Sequence, residues 1–218
     1  MNLFRFCGDM LHLASILLLL WKIHKNKSCV GVSCRMQEMY MLVFGFRYLD
    51  LLYEFISLYN SCMKIFFLIS TGYLIYLMRY KPPVNQTYDR TVDSFKYELY
   101  FLGPALLLGV LTCEEYAITE VLWSTSIYLE AVAITPQLVL LAKMREVENL
   151  TSHFVAAMGL YRAFYILNWI YKYLVDQTFD PVAILGGVVQ TILYCDFFYY
   201  YAMAKWYGNR LVLPMGPT

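Results

Sequence analysis

Charge is scarce in this 218-residue chain: charged residues make up 15% and apolar ones 60%, against about 25% and 45–50% in ordinary globular chains. A water-soluble body of this size could not bury so much apolar surface, so the bilayer is the solvent to reason in. Net charge is nearly absent as well, at +1 from 17 basic and 16 acidic residues. That excludes a broad basic nucleic-acid surface and an acidic disordered tail. Six cysteines (Cys7, Cys29, Cys34, Cys62, Cys113, Cys195) form no C-x-x-C pair and have no His at ligand spacing, so buried thiols are expected instead of a disulfide framework or metal site. Also missing are a Gly-x-Gly-Asp partner for Asp196, any Gly-x-Ser-Gly and any zinc-spaced His pair, which argues against an intramembrane enzyme. No cofactor is implied.

What the chain does have is apolar runs of spanning length. A membrane helix needs roughly 20 mostly apolar residues, and polar breaks near 22–34, 54–57, 80–96, 113–117, 143–151 and 174–180 leave seven segments. Helices are expected at about 2–21, 35–53, 57–79, 96–113, 117–142, 151–173 and 179–204. The expected fold is an all-α integral membrane protein with one domain over 1–204 and a short tail over 205–218. Seven helices suggest a 3+1+3 plan of two parallel triple-helix bundles joined by the fourth helix, as in small transporters.

The charges orient these spans. Lys22, Lys25 and Lys27 follow the first apolar run instead of preceding it, the wrong polarity for a cleaved signal peptide. Alternate breaks carry Lys22, Lys25, Lys27 and Arg35; Arg79, Lys81, Arg90 and Lys96; Lys143 and Arg145; and, in the tail, Lys205 and Arg210. The intervening breaks carry Glu54, Glu114, Glu115, Asp176 and Asp180 without a Lys or Arg. The positive-inside rule then predicts a lumenal N-terminus and a cytosolic C-terminus. Three sequons, at Asn26, Asn85 and Asn149, fall on the cytosolic side and should stay unglycosylated.

Five basic residues (Arg5, Arg47, Lys64, Arg162, Lys172) fall within the spans, each costing a few kcal/mol there unless paired or hydrated. Their spacing is not random. Arg5, Asp9 and His12 stand at i, i+4 and i+7 on one helical face, and Arg47, Asp50 and Glu54 repeat the device. Glu120, Trp123, Ile127 and Glu130 form a third stripe; Arg162, Tyr165, Trp169 and Lys172, beside Tyr161 and Asn168, form a fourth. Four polar stripes must face one another or water. They predict a lumen-facing cavity with cations near its mouth and a titratable layer beneath, suited to a small ligand bearing several carboxylates, which Arg holds by planar two-point contacts. Internal pairing, as of Arg47 with Asp50, is the alternative. His12 is a candidate proton sensor, since histidine titrates where secretory compartments differ in pH, and Tyr161 and Glu130 are candidates for a buried hydrogen bond that responds to it.

The letters themselves resemble a family. Met1-Asn-Leu-Phe-Arg5 with His12, Phe46-Arg47-Tyr48-Leu49-Asp50-Leu51, Phe55 to Asn60, Ser126 to Leu138, Gly159-Leu-Tyr161-Arg162-Ala, Asn168-Trp169-Ile170, and Gly187 to Tyr199 are similar to segments of the ER lumen protein-retaining receptors, the KDEL/HDEL receptors. The resemblance implies seven helices of the PQ-loop and SWEET plan, and a receptor cycling between Golgi and ER membranes. It would bind C-terminal Lys/His-Asp-Glu-Leu signals of escaped ER proteins in the acidic Golgi and release them at neutral pH. It implies that Arg5 and Arg47, with Tyr48 nearby, contact the ligand's carboxylates, and that Asp50 and Glu120, packed by Trp123, hold its basic first residue. Trp169 and Lys172 resemble the subsite for the signal's Asp, with Tyr165 along the same wall. His12 resembles the proton sensor, coupled to Glu130 and Tyr161, with Arg162 and Asp196 in the interior network. Lys205 and Arg210 would serve the retrograde vesicle coat (COPI). Position 172 is Lys where the family usually has Arg, so a point charge replaces a fork. A PQ-loop or SWEET transporter is the rival reading, carried by Pro136-Gln137.

Overall fold

The computed structural model describes residues 2–113, 115–177 and 181–213; Glu114 and Asp180 lie outside them, as do residues 214–218 of the expected tail. Eight α-helices account for most of these residues: α1 (Leu3–Asn26), α2 (Cys34–Arg47), α3 (Leu58–Arg79), α4 (Gly103–Thr112), α5 (Ile118–Val132), α6 (Thr135–Met144), α7 (Asn149–Asp176) and α8 (Pro181–Trp206). Two short strands, β1 (Glu146–Val147) and β2 (Leu211–Val212), pair antiparallel. Four segments among the described residues are long and apolar enough to cross a membrane: Leu3–Asn26, Leu58–Arg79, Ile118–Met144 and Pro181–Trp206. The protein is an all-α membrane protein.

Local chemistry sets the ends. Asn2 caps α1 by accepting from the Arg5 N–H at 2.9 Å, and its amide reaches Asn168 of α7 at 2.8 Å. Ser33 and Ser57 cap α2 and α3 in the same way. One continuous helix was expected over 117–142, but it divides at Ala133–Ile134. Pro136 is the cause: it has no N–H for the Val132 carbonyl and its ring crowds that turn.

Helix α1 packs most extensively along α7, and α2 along α5, with α8 against both α5 and α7. Polar clamps close the end opposite the N-terminus. Gln137 donates to the Gly31 carbonyl and accepts from the Ser33 N–H, both at 2.8 Å. Asp93 accepts from Ser33 Oγ and the Cys34 N–H at 2.8 Å and from the Tyr88 hydroxyl at 2.9 Å. Burial and that carboxylate push the Tyr88 phenol well up, so it stays a donor.

Three expectations need correction here. Lys22 was expected in a solvated break, yet α1 continues to Asn26 and buries it; its ammonium donates to Val30 O at 2.7 Å and Thr151 Oγ1 at 2.5 Å and pairs with Glu148 at 3.2 Å. The tail was expected to begin at 205, but α8 runs through Trp206, and Leu211 and Leu213 are buried where β2 pairs with β1. All six thiols are free, but only Cys29 and Cys34 are buried; Cys62 and Cys195 are exposed.

Candidate functional site

At the N-terminal end of α1, the helices splay around a cavity of about 550 Å³. The four polar stripes converge there. Arg5 and His12 of α1, Arg47 and Tyr48 at the end of α2, Asp50 just beyond, Glu120, Trp123 and Glu130 of α5, and Tyr161, Arg162, Tyr165, Trp169 and Lys172 of α7 all line it. So do Asp9, Glu54 and Lys64. Close approach of α8 makes the far wall possible: a Cβ on Gly187 would stand 2.3 Å from the Trp169 ring.

Glu130 is the hub. Buried at 5% exposure, it forms ion pairs with both Arg47 and Arg162 and accepts from the Tyr161 hydroxyl at 3.0 Å. Arg47 also donates from Nε to Ser126 Oγ at 3.0 Å. Arg162 lies over the rings of Tyr161, Tyr165 and Trp169, its guanidinium carbon 5.2–5.9 Å from the ring centres. The alternative Arg47–Asp50 pair is not formed: Asp50 is taken by Lys64 from α3, and the internal pairing of Arg47 is with Glu130 instead. Asp9, on the Arg5 face, accepts from Tyr59 at 2.9 Å and from Tyr165.

Among the described residues, four polar atoms of the cavity lining remain buried without a partner: Arg47 Nη2, Arg162 Nε, Asp50 Oδ1 and Gln190 Oε1. A buried polar group costs free energy until it is satisfied, so these two donors and two acceptors are unused hydrogen-bonding capacity in the cavity wall. Among the described residues, no ion pair uses Arg5, Glu120 or Lys172. The cavity can therefore offer cations to carboxylates on one wall and a carboxylate to an ammonium on another.

His12 lies at the cavity floor, sandwiched between Tyr161, 4.4 Å away at 8°, and Phe67, 4.5 Å away at 23°. Tyr40 and Phe44 of α2 complete its aromatic surround at 6.1 and 5.9 Å. The charged groups facing it are Glu130, Arg47 and Arg162, with Asp9 one turn away on its own helix. Tyr161 thus links the histidine, by stacking, to the Glu130 hub, by hydrogen bond.

Asp196 does not belong to this network. It is exposed on α8, whose buried face runs through Gly186, Gly187, Gln190, Tyr194 and Phe197; at 100° per residue, position 196 falls off that stripe. Lys205 and Arg210 lie at the opposite end, donating to Asn149 Oδ1 at 3.0 Å and Glu146 Oε1 at 2.5 Å. Contributors given no role from sequence include Tyr59, Lys64, Ser126 and Gln190. Asn60 and Lys64, at i and i+4, were a readable stripe; the choice of Lys64 over Arg47 as Asp50's partner was not. Among the described residues, no group of three or more His, Cys, Asp or Glu side chains is arranged for a metal ion.

The family model for the ER lumen protein retaining receptor matches residues 28–172. The ER lumen protein-retaining receptor of Plasmodium falciparum is 58% identical over 216 residues, 98% of each chain. That of Drosophila melanogaster is 49% identical over 214 residues, 98% of this chain and 100% of the relative. Receptor B of Arabidopsis thaliana is 49% identical over 215 residues with the same coverage.

Proposed function

The chain belongs to the ER lumen protein-retaining receptor family, and from that premise we propose that its cavity captures the C-terminal Lys/His-Asp-Glu-Leu signal of escaped ER residents in a pH-dependent way. The single observation carrying this reading is the set of unsatisfied buried atoms: Arg47 Nη2 for the terminal carboxylate and Asp50 Oδ1 for the basic first residue. Arg5 joins Arg47 in receiving the acidic groups, beside Tyr48. Glu120 and Trp123 complete the basic-residue subsite, and Trp169 with Lys172 takes the signal's Asp along the Tyr165 wall.

Charge balance supplies the pH dependence. The lining holds five cations (Arg5, Arg47, Lys64, Arg162, Lys172) and five carboxylates (Asp9, Asp50, Glu54, Glu120, Glu130), neutral overall when His12 is neutral. A free-acid Lys-Asp-Glu-Leu end brings one positive and three negative groups, leaving an excess of negative charge that a proton on His12 reduces. If the charged form binds better, binding takes up a proton, and by linkage affinity rises as pH falls.

The same reading makes this a seven-span protein with its mouth lumenal and its basic end cytosolic, cycling between Golgi and ER membranes. The pairs α1–α7 and α2–α5 exchange when the two halves are swapped, which supports the 3+1+3 plan. The chain would then be one domain that reaches past α8 to the β1–β2 pairing. Retrieval by the COPI coat would use Lys205 and Arg210.

The test is titration of a labelled Lys-Asp-Glu-Leu peptide against purified protein at mildly acidic and neutral pH. Saturable, acid-favoured binding without solute flux in proteoliposomes supports the receptor. Flux of a small solute without peptide binding would instead establish the transporter.

A further inference from the structure

At the end opposite the cavity, α1 and α3 share an outward-facing strip whose chemistry changes along its length. It begins apolar, with Leu17 on α1 and Ile65 and Ile69 on α3, all 45% or more exposed. One turn further it becomes aromatic, with Trp21, Tyr73 and Tyr76, each 41–51% exposed. It ends cationic, at exposed Lys25 and Lys27. A rise of 1.5 Å per residue puts Lys25 about 12 Å beyond Leu17 and Tyr76 about 10 Å beyond Ile69. This is the order, and the length scale, of a phospholipid from acyl chain to headgroup.

The aromatic band is built, not scattered. His24 donates from Nδ1 to Leu20 O at 2.9 Å, which leaves Nε2 to accept from the Tyr73 hydroxyl at 3.2 Å and ties the two helices together. Tyr73 and Tyr76 continue the ladder at 6.5 Å, and the Lys25 ammonium sits 4.9 Å from the Trp21 ring centre. The nearest carboxylate, Glu148 from the α6–α7 connection, is held by the buried Lys22 ammonium at 3.2 Å and the Asn26 amide at 2.8 Å, and α1 and α3 themselves add no negative charge to the strip. No Asp or Glu occurs between Asp9 and Glu38 or between Glu54 and Asp89, and Glu38 is taken by Arg35 and Arg79. No ion pair among the described residues uses Lys25 or Lys27.

We propose that this strip is a binding site for one anionic phospholipid, with its headgroup on Lys25 and Lys27, its glycerol region against Trp21 and Tyr76, and its chains along Leu17 and Ile69. Interfacial aromatics seat the ester region, and the lysines select negative charge. Only the assignment to the cytosolic leaflet rests on the orientation proposed above; the binding itself does not.

The experiment is native mass spectrometry of the purified full-length protein in micelles doped with phosphatidylserine or phosphatidylcholine of identical chains, with a photoreactive phosphatidylserine to map contacts. Phosphatidylserine should be retained preferentially, and cross-links should fall within 17–27 and 65–81. Preference should drop about fivefold per lysine in K25Q and K27Q, while K96Q, another exposed lysine at the same end, leaves it unchanged. Equal retention of both lipids, cross-links elsewhere, full preference in K25Q/K27Q, or equal competition by chainless glycerophosphoserine would each overturn the proposal. Signal-peptide binding measured on the same variants separates the two readings. Loss of peptide binding with lipid selectivity intact would count against the receptor reading alone, and the reverse against the lipid site alone.

Discussion

Replacing Arg47 by alanine removes one of the two guanidiniums held on Glu130, the Nε–H donated to Ser126 Oγ at 3.0 Å, and the unpaired buried Nη2. Glu130 keeps Arg162 and the Tyr161 hydroxyl at 3.0 Å, so its buried charge is not left uncompensated and the fold should survive. The ligand loses the Nη2 donor and the positive charge behind it. Truncating one side of a buried, hydrogen-bonded interfacial charge pair costs ~2–5 kcal/mol, which raises Kd by about 30-fold to several thousand-fold. Fluorescence polarisation with a labelled Lys-Asp-Glu-Leu peptide at mildly acidic pH reads this directly. Amidating the peptide removes the same contact from the other side and should cost wild type a similar amount. The two changes delete one interaction, so amidation should cost Arg47→Ala little more, within about threefold. Arg47→Lys should fall between, keeping a charge but lacking the separate donors that let Arg47 hold Glu130 and Ser126 while still offering Nη2. Wild-type affinity in Arg47→Ala, or losses that simply add, would refute the reasoning.

Other outcomes follow from neighbouring groups. His12→Ala should flatten the pH dependence of peptide affinity while keeping the Arg47-dependent contact; a profile as steep as wild type would remove His12 from the mechanism. Asp50→Asn should blur the preference for a basic first residue, so that a peptide beginning with Ala loses less against the variant than against wild type. Gly187→Ala should push against the Trp169 ring, since its Cβ would stand 2.3 Å away, and weaken peptide binding more than it lowers Tm. Lys22→Ala should lower Tm, because it strips hydrogen bonds from Thr151 and Val30 worth ~1.5–3 kcal/mol each when charge-assisted. Cys29, between α1 and α2, has its thiol pushed up by burial; because its thiolate forms only at more alkaline pH, alkylation should begin later than for a free thiol, as iodoacetamide mass spectrometry would reveal.

Much of this site was legible because helices repeat every 3.6 residues. Arg5, Asp9 and His12, or Arg162, Tyr165, Trp169 and Lys172, share a face by spacing alone, and a charge in a lipid-embedded stretch must find water or a partner. A cavity lined by these faces follows from the spacing alone. Partner choice does not. Lys64 reaches Asp50 across the α2–α3 connection, and Glu130 gathers two arginines from different helices; both depend on how helices rotate and tilt against one another, which one helix's periodicity does not encode. Asp196 fails for a related reason. Its family-matched segment suggested the interior, but the buried stripe of α8 is set by glycines that admit Trp169 and Ile127, and position 196 lies off it. The division at Ala133–Ile134 was latent in Pro136, whose missing N–H was read as a motif and not as a break. Lys22 looked like solvent-exposed charge because composition cannot tell a loop lysine from one folded under a loop.

Capture of the signal depends on Arg47 Nη2 receiving the peptide's terminal carboxylate and Asp50 Oδ1 its basic first residue. A structure of the protein with bound Lys-Asp-Glu-Leu peptide tests this most directly. It should place the terminal carboxylate within hydrogen-bond distance of Arg47 and the peptide's basic group on Asp50, with Arg47 still held on Glu130. A peptide seated with its carboxylate away from Arg47, or an Arg47–Asp50 pair closed beneath it, would contradict the account.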